Sequence, residues 1–290
     1  VAAAAGRRGR PARLRADLAA ALTAGDTAAT TGFLSPEGRG NKHSAPARTA
    51  LAPIDILYQD DALIAVNKPA GLPVHRSKLI GPAEAFLVDL LREQLGGAVH
   101  LAHRLDRATS GVLLAARSAE VAAALGEQFM GRNVAKQYLA VVRGWPEPAE
   151  DVIDYPLPGA RATGPRREAR TRYRRLATAE VPIALGRYPQ QRYALVLAEP
   201  ETGRFRQIRK HLAHVHHPVI GDCQHGRSDH NRLYKQHFGC HRMLLHAWRI
   251  AFHHPLDGRP LAVEAPLDAA FAGLLARFGW LLPTRDPAQG

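Results

Sequence analysis

The chain has little of what secreted, membrane-spanning and nucleotide-cofactor proteins carry. It has two cysteines, Cys223 and Cys240, in 290 residues. That is too few for a disulfide scaffold, and it suits small buried or loop residues in a reducing compartment. No uninterrupted apolar run approaches the ~20 residues that a membrane-spanning helix needs, so a cytoplasmic protein with no membrane partner is expected. A P-loop, a dinucleotide-binding glycine fingerprint and a Gly-x-Ser-x-Gly elbow are all missing. There is no internal repeat and no alternating βαβ rhythm. Acidic residues are also scarce: 26 Asp and Glu stand against 39 Lys and Arg, a net charge of +13, with a pI near 10.4. Such an excess favours a polyanionic partner, RNA foremost. An arginine-rich composition alone also allows a plain origin in codon usage.

The charge is unevenly spread. Residues 1–50 hold eight basic and three acidic residues among Ala, Gly and Thr, with little apolar periodicity. They read as a basic, disordered arm, with Ala12–Leu22 as a marginal short helix. Asp17 interrupts the Ala-rich stretch, which argues against a secretory signal, while the composition leaves an organellar transit peptide or a non-native start open. Seven arginines, Arg161, Arg166, Arg167, Arg170, Arg172, Arg174 and Arg175, fall within fifteen positions. That clustering suggests a surface facing phosphates.

Residues 51–290 read as a folded domain of α+β class, whose pattern begins near Ile54. Ile54–Tyr58 and Leu63–Asn67 look like strands, and Pro69, Gly71 and Pro73 force a loop running to Ser77. Phe86, Leu90 and Leu91 mark a helix over Ala83–Leu95. Val121, Leu125 and Phe129 mark another beginning at Ser118, a good N-cap. Strands are expected at Val112–Ala116, Lys136–Val142, Tyr193–Leu197, Ile250–Phe252 and Leu261–Val263, and helices at Phe205–Val215 and Asp268–Phe278. The stretch 146–175 reads as a loop leading into a basic strand near Thr171–Leu176, and Glu199–Gly203 as a turn.

The most informative segment is His103-Arg104-Leu105-Asp106-Arg107-Ala108-Thr109-Ser110-Gly111, a polar loop just before an apolar strand. A carboxylate between two guanidinium groups stays ionised, and an ionised Asp beside a substrate can be a nucleophile or a general base. The same residues also suit an Asp that caps a surface turn and pairs with arginine.

The string HRLD-x-x-TSG resembles the signature of the RluA and RsuA type of pseudouridine synthases. Lys136-Gln137-Tyr138-Leu139-Ala140 resembles a strand motif of that family, and Gln207-Ile208-Arg209 resembles a helical one. Asn67–Gly71 is similar to a family loop at the mouth of the site. The resemblance spans about residues 54–285. AVNKPAGLPVHRS at 65–77, LATAEVPIALGRYPQQRYALV at 176–196 and RKHLAHVHHPVIGDCQHG at 209–226 are similar to the subgroup acting on tRNA uridine 65. The resemblance implies a mixed, mainly antiparallel sheet flanked by helices. It implies an isomerase that needs no cofactor and no metal, working on a flipped uridine of tRNA, or alternatively of ribosomal RNA.

It also implies roles. Asp106 is the catalytic nucleophile, Arg209 its ionic partner, and Tyr138 stacks on the base and assists loss of the C5 proton. Arg104 fills the gap left by the flipped nucleotide. Arg104, Arg107, Lys68, Arg76, Arg166, Arg167, Arg206 and Lys210 are the expected RNA contacts. Where the commonest family form has Thr-His, this chain has Phe205-Arg206. The run His211, His214, His216 and His217, with Cys223 and His225 beyond, has a metal-like look, yet Pro218 and Gly221 explain it as a helix exit and turn. A monomer without an obligate protein partner is expected. Two rival classes remain: a non-catalytic RNA-binding protein, which would not need Asp106, Tyr138 and Arg209 together, and a glycosidase-like hydrolase, which would need a second carboxylate.

Overall fold

The computed structural model describes residues 52–76, 85–159 and 164–282. The chain divides into two units, Val1–Ala52 and Pro53–Gly290, and the architecture below is that of the second. The arm, its short helix, Ser77 and Arg161 lie outside the described residues.

The elements run β1 Asp55–Gln59, β2 Leu63–Lys68, α1 Leu87–Leu95, β3 His100–Leu101, β4 Ser110–Ala116, α2 Ala119–Met130, β5 Ala135–Arg143, β6 Glu150–Asp154, β7 Leu157–Pro158, β8 Arg166–Arg167, β9 Arg170–Val181, β10 Gln191–Pro200, α3 Gln207–His214, α4 Ser228–Phe238, β11 Leu245–His253, β12 Pro260–Glu264 and α5 Ala269–Phe278. Ten strands form one sheet, ordered β1-β2-β4-β11-β5-β10-β9-β6, with β3 on β4 and β12 on β11, while β7 and β8 pair separately. Within the large sheet every pairing is antiparallel except β4 with β11. This is the mixed, mainly antiparallel α+β architecture expected from the sequence.

The parallel contact is short, joining Ser110 to His246 and Gly111 to Ala247. It brings the backbones so close that a Cβ on Gly111, whose φ is +107°, would collide with the main chain of Ala247. Only glycine fits there. The contact seats the end of the Asp106 loop against the strand that also carries β5.

Two of the apolar clusters among the described residues bear on the site. One gathers β1, β2 and β4 under α1 and α2 around Leu63, Val66, Leu87, Leu113 and Leu125; the other gathers β5, β9 and β10 under α3 around Val142, Tyr173, Val196 and Leu212. Leu63, Leu113 and Leu125 are fully buried, each worth roughly 1.5–3 kcal/mol against exposure. Tyr138 packs against both clusters, and the candidate site lies at this seam. Ser118 caps α2 by accepting the Val121 N–H at 3.3 Å, and Asp268 caps α5 by accepting that of Phe271 at 3.0 Å.

Three readings need correction. The segment before the expected basic strand is not a loop throughout but carries β6, β7 and β8; the basic strand itself is β9, twelve residues long and paired with β10 from Thr171 to Val181. Glu199 and Pro200 continue β10, paired with Arg172 and Thr171, and do not open a turn. Helix α4 was not anticipated, although its buried His230, Leu233 and Tyr234 have i, i+3, i+4 spacing. The arginine cluster also reads differently in space. On β9 the partly exposed Arg170 and exposed Arg172 and Arg174 alternate with buried Thr171 and Tyr173, as strand geometry requires. Arg170 pairs with Asp154 and Glu201, Arg172 with Glu201, and Arg175 with Glu147. Three of the seven arginines are thus ion-paired, while exposed Arg174 stands beside them on the strand.

Candidate active site

The loop between β3 and β4 is held from several sides before any substrate arrives. The Thr109 N–H closes a turn on the Asp106 carbonyl at 3.1 Å. His103 Nε2 accepts the Leu114 N–H at 2.9 Å, and its ring packs on Phe129 at 4.5 Å. Burial, aided by the Lys136 charge, pushes this imidazole down to about 3. It is therefore neutral, with its hydrogen on Nδ1. Ser110 Oγ accepts from Arg242 Nη2 at 2.8 Å and lies 2.8 Å from His246 Nδ1, whose ring donates through Nε2 to the Ala265 carbonyl at 3.1 Å. With those two donors assigned, the Ser110 hydroxyl donates to His246.

Lys68 corrects an expectation. It is fully buried, and its Nζ donates to the carbonyls of Pro69 at 2.7 Å, Leu72 at 2.9 Å and Arg107 at 3.2 Å. Its three N–H groups are used, and none is left for RNA. Burial, with the Arg242 charge, pushes its ammonium down to about 7, while the three carbonyls favour the charged form. Lys68 stitches the 69–72 loop to the Asp106 loop, as do the Gly71 N–H on the Arg107 carbonyl at 2.8 Å and Arg107 Nε on the Gly71 carbonyl at 2.8 Å.

Arg209 stands on α3. Its Nη1 donates to Asp106 Oδ2 at 2.7 Å. Its other edge grips Asp222 in a fork, Nε to Oδ2 and Nη2 to Oδ1, both at 2.7 Å. The Arg209 side chain is 7% exposed, that of Asp222 0% and that of Asp106 23%. Of the two carboxylates on one guanidinium, only Asp106 opens toward solvent. Asp222 Oδ1 also accepts the N–H groups of Gln224 at 2.9 Å and His225 at 3.0 Å. Burial works against its charge, but Arg209 and these N–H groups outweigh it and hold the carboxyl below its ordinary value. A planar fork with both partners fixed cannot rotate, so Arg209 aims Asp106. Asp222 was missed in the sequence; the signal was one acid in the basic, His-rich string that follows Arg209.

Asp106, Arg209, Tyr138, Lys136, Phe205 and Arg206 line a cavity of about 660 Å³. Burial, and then the Asp106 charge, push the Tyr138 phenol up, so the ring keeps its proton. That suits a flat stacking surface better than a phenolate base. Arg206 adopts a left-handed backbone, φ +57°. Arg206 and Lys210 both lie over the Phe205 ring, at 4.4 and 5.3 Å. Exposed Arg104 also lines the cavity, with its Nη1 3.5 Å from His75 Nε2.

The other expected RNA contacts lie elsewhere. Exposed Arg107 turns to the Gly71 carbonyl, and Arg76 lies in a second groove beside Asp89 at 3.4 Å. Arg166 donates to the Tyr155 hydroxyl at 2.6 Å, and its neighbour Arg167 is exposed on β8. The histidines of the metal-like run serve the fold. His211 bridges Thr171 Oγ1 and the Tyr155 carbonyl at 2.9 and 3.0 Å, His214 stacks on Tyr155 at 3.6 Å, and His217 lies 2.9 Å from the Arg143 carbonyl.

One carboxylate aimed by a buried arginine into a cavity with cations at its rim and a tyrosine in its wall defines an enzyme site for a polyanionic substrate that carries a flat ring. Comparison with known proteins agrees: the RNA pseudouridylate synthase family matches residues 62–214, and the chain belongs to that family. It is similar to tRNA pseudouridine synthase C of Pectobacterium carotovorum, 46% identical over 236 residues that cover 78% of this chain and 62% of the relative. The protein of the same name from Salmonella typhi is 46% identical over 247 residues, covering 81% of this chain and 95% of the relative. Among solved structures, human RNA pseudouridylate synthase domain containing 4 aligns with a TM-score of 0.62 at 25% identity, over 79% of this chain and 95% of that one. The fold is shared by the human domain containing 1, with a TM-score of 0.62 at 22% identity over 85% of this chain and 96% of that one.

Proposed function

We propose that the protein converts a uridine of tRNA to pseudouridine, at position 65, with Asp106 as the nucleophile. The observation that carries this reading is the Asp106–Arg209–Asp222 relay, with contacts of 2.7 Å throughout, opening on a cavity that Tyr138 also lines. The tRNA substrate and its position rest on the relatives named tRNA pseudouridine synthase C and on the subgroup resemblance of residues 176–196 and 209–226.

The reaction breaks the N1–C1′ bond of uridine, turns the base and forms a C5–C1′ bond. C5 loses its hydrogen and N1 gains one, so no redox partner enters. Asp106, held by Arg209, adds either to C1′ or to C6. Tyr138 lies against the base plane. Arg104 at the cavity mouth takes the space vacated by the flipped nucleotide, and Arg206 and Lys210 meet its phosphates.

The test uses tRNA transcripts tritiated at uridine C5, because each turnover releases that tritium. Intact tRNA, its isolated stem-loop and ribosomal-RNA fragments are compared in one assay, with the modified position mapped at base resolution. Release from intact tRNA at position 65, lost in Asp106→Asn while tRNA binding persists, is the expected result. Faster release from the ribosomal fragments would overturn the tRNA assignment, and turnover by Asp106→Asn within about tenfold of wild type would remove Asp106 from its role.

A further inference from the structure

Lys136 is the one cavity-lining lysine, and neither the Asp106 relay nor the Tyr138 stacking role uses it. It stands two residues before Tyr138 on β5, so the two side chains share a face of the sheet, and both line the cavity. Partial burial lowers its ammonium from the ordinary value, and its charge reaches His103. Among the described residues no carboxylate pairs with it and no acceptor receives its Nζ. The neighbouring Arg132 differs, since it forks onto Glu168 at 3.2 and 2.7 Å. The other buried lysine, Lys68, has all its donors engaged. A half-buried cation without a protein partner, beside the ring that would stack on the base, is a site prepared for negative charge that arrives with the substrate or develops on it.

We propose that Lys136 is a further catalytic residue, which hydrogen-bonds the uracil carbonyl oxygen on which negative charge collects as the base is detached. This rests on the proposed pseudouridine synthase reaction. If Asp106 adds to C1′, the electron pair of the breaking N1–C1′ bond spreads from N1 onto O2 and O4. If it adds to C6, the displaced π electrons end on O4. Either way the charge sits on a carbonyl oxygen, and an ammonium in a partly desolvated cavity stabilises it there.

The turn of the base fits the same residue. Rotating uracil by half a turn about the line through N3 and C6 exchanges N1 with C5 and O2 with O4. The site therefore meets a carbonyl in the same place before and after. A flexible ammonium with three donors can hold either oxygen, keeping the detached base in the cavity while C5 reaches C1′. In the last step C5 gives up its proton, N1 takes one, and Lys136 keeps its own throughout.

The test measures two quantities on the full chain: the single-turnover rate of tritium release from C5-tritiated tRNA at saturating enzyme, and the tRNA dissociation constant at fixed salt. Lys136→Met should lower the rate by about 10²-fold, the loss typical of one removed charge-stabilising donor, with the dissociation constant changed by less than about threefold. Lys136→Arg keeps the charge and should recover part of the rate, a rescue that a packing role would not give. Thermal melting of both variants separates loss of fold from loss of chemistry, and Lys136→Arg carries the test if Lys136→Met does not fold. A Lys136→Met rate within about threefold of wild type would overturn the proposal. So would a weakened dissociation constant with the saturated rate intact, which would make Lys136 a phosphate contact. Failure of the underlying reading looks different: the wild-type enzyme itself would release no tritium from tRNA.

Discussion

Replacing Asp222 with asparagine tests the relay at the member farthest from the substrate. The carboxylate accepts four hydrogen bonds, two from Arg209 at 2.7 Å and one each from the Gln224 and His225 N–H groups at 2.9 and 3.0 Å. An amide placed with its oxygen at Oδ1 keeps three of these, but its NH₂ then faces the Arg209 Nε–H. One hydrogen bond is lost, two donors oppose each other, and a 7%-exposed guanidinium loses one of its two countercharges. Breaking a buried ion pair from one side costs about 3–5 kcal/mol. Asp106 remains as a partner, so the lower end applies, about 3 kcal/mol. For a domain of this size that is a fall in melting temperature of roughly 6–12 °C. Freed on one edge, Arg209 no longer aims Asp106, and misplacement by about an ångström is worth up to ~10²-fold in rate. The expected signature is a slower saturated rate with little change in tRNA affinity.

The pH dependence has a definite sign. Asp222 is held below its ordinary value in the fold. Its contribution is therefore complete above the unfolded carboxylate value of about 3.9, and is lost as pH falls through its lower folded value. Melting curves of wild type and Asp222→Asn should differ by a constant amount from about pH 5 to 8 and converge below about pH 4. Equal melting temperatures at neutral pH, together with a rate within about threefold of wild type, would refute the relay.

Arg209→Lys should be nearly as damaging as Arg209→Ala, since one ammonium cannot hold Asp106 and grip both oxygens of Asp222; a lysine variant within about tenfold of wild type would show that charge alone suffices. Gly111→Ala should destabilise the protein by about 3 kcal/mol or more, because φ is +107° and the added carbon meets the Ala247 backbone. Chemical denaturation decides it, and an unchanged midpoint would mean that β4 and β11 part without loss.

The features legible in the sequence are local ones. The Asp106 loop, the Tyr138 strand and the Arg209 helix each announce themselves in fewer than a dozen consecutive residues, and β2, β4, α2 and α5 follow from apolar periodicity and capping residues alone. Helix α4 was legible in the same way and overlooked. Strands β6, β7 and β8 were not, because such short polar strands gain their regularity from pairing, β6 with β9 and β7 with β8, and pairing partners leave no mark on local composition.

By itself, the sequence determined the family, and through that resemblance it pointed to Asp106, Tyr138 and Arg209, because the motifs that carry the resemblance are short and contiguous. Only the tertiary structure decided where each charge points. Lys68 and Arg104 are both basic residues beside family motifs, yet one lies inside a cage of three carbonyls and the other rims the cavity. Asp222 stands thirteen residues from Arg209 in the chain, marked only as the one acid of a basic, His-rich string, and becomes the anchor of the relay once the turn after α3 folds beneath it. Lys136, Arg170 and Arg172 differ in the same way, the first without a partner among the described residues and the other two paired with Asp154 and Glu201. A charge takes its role from the donors and acceptors that distant strands bring to it, and those meetings are settled by strand order and register, which no local pattern specifies.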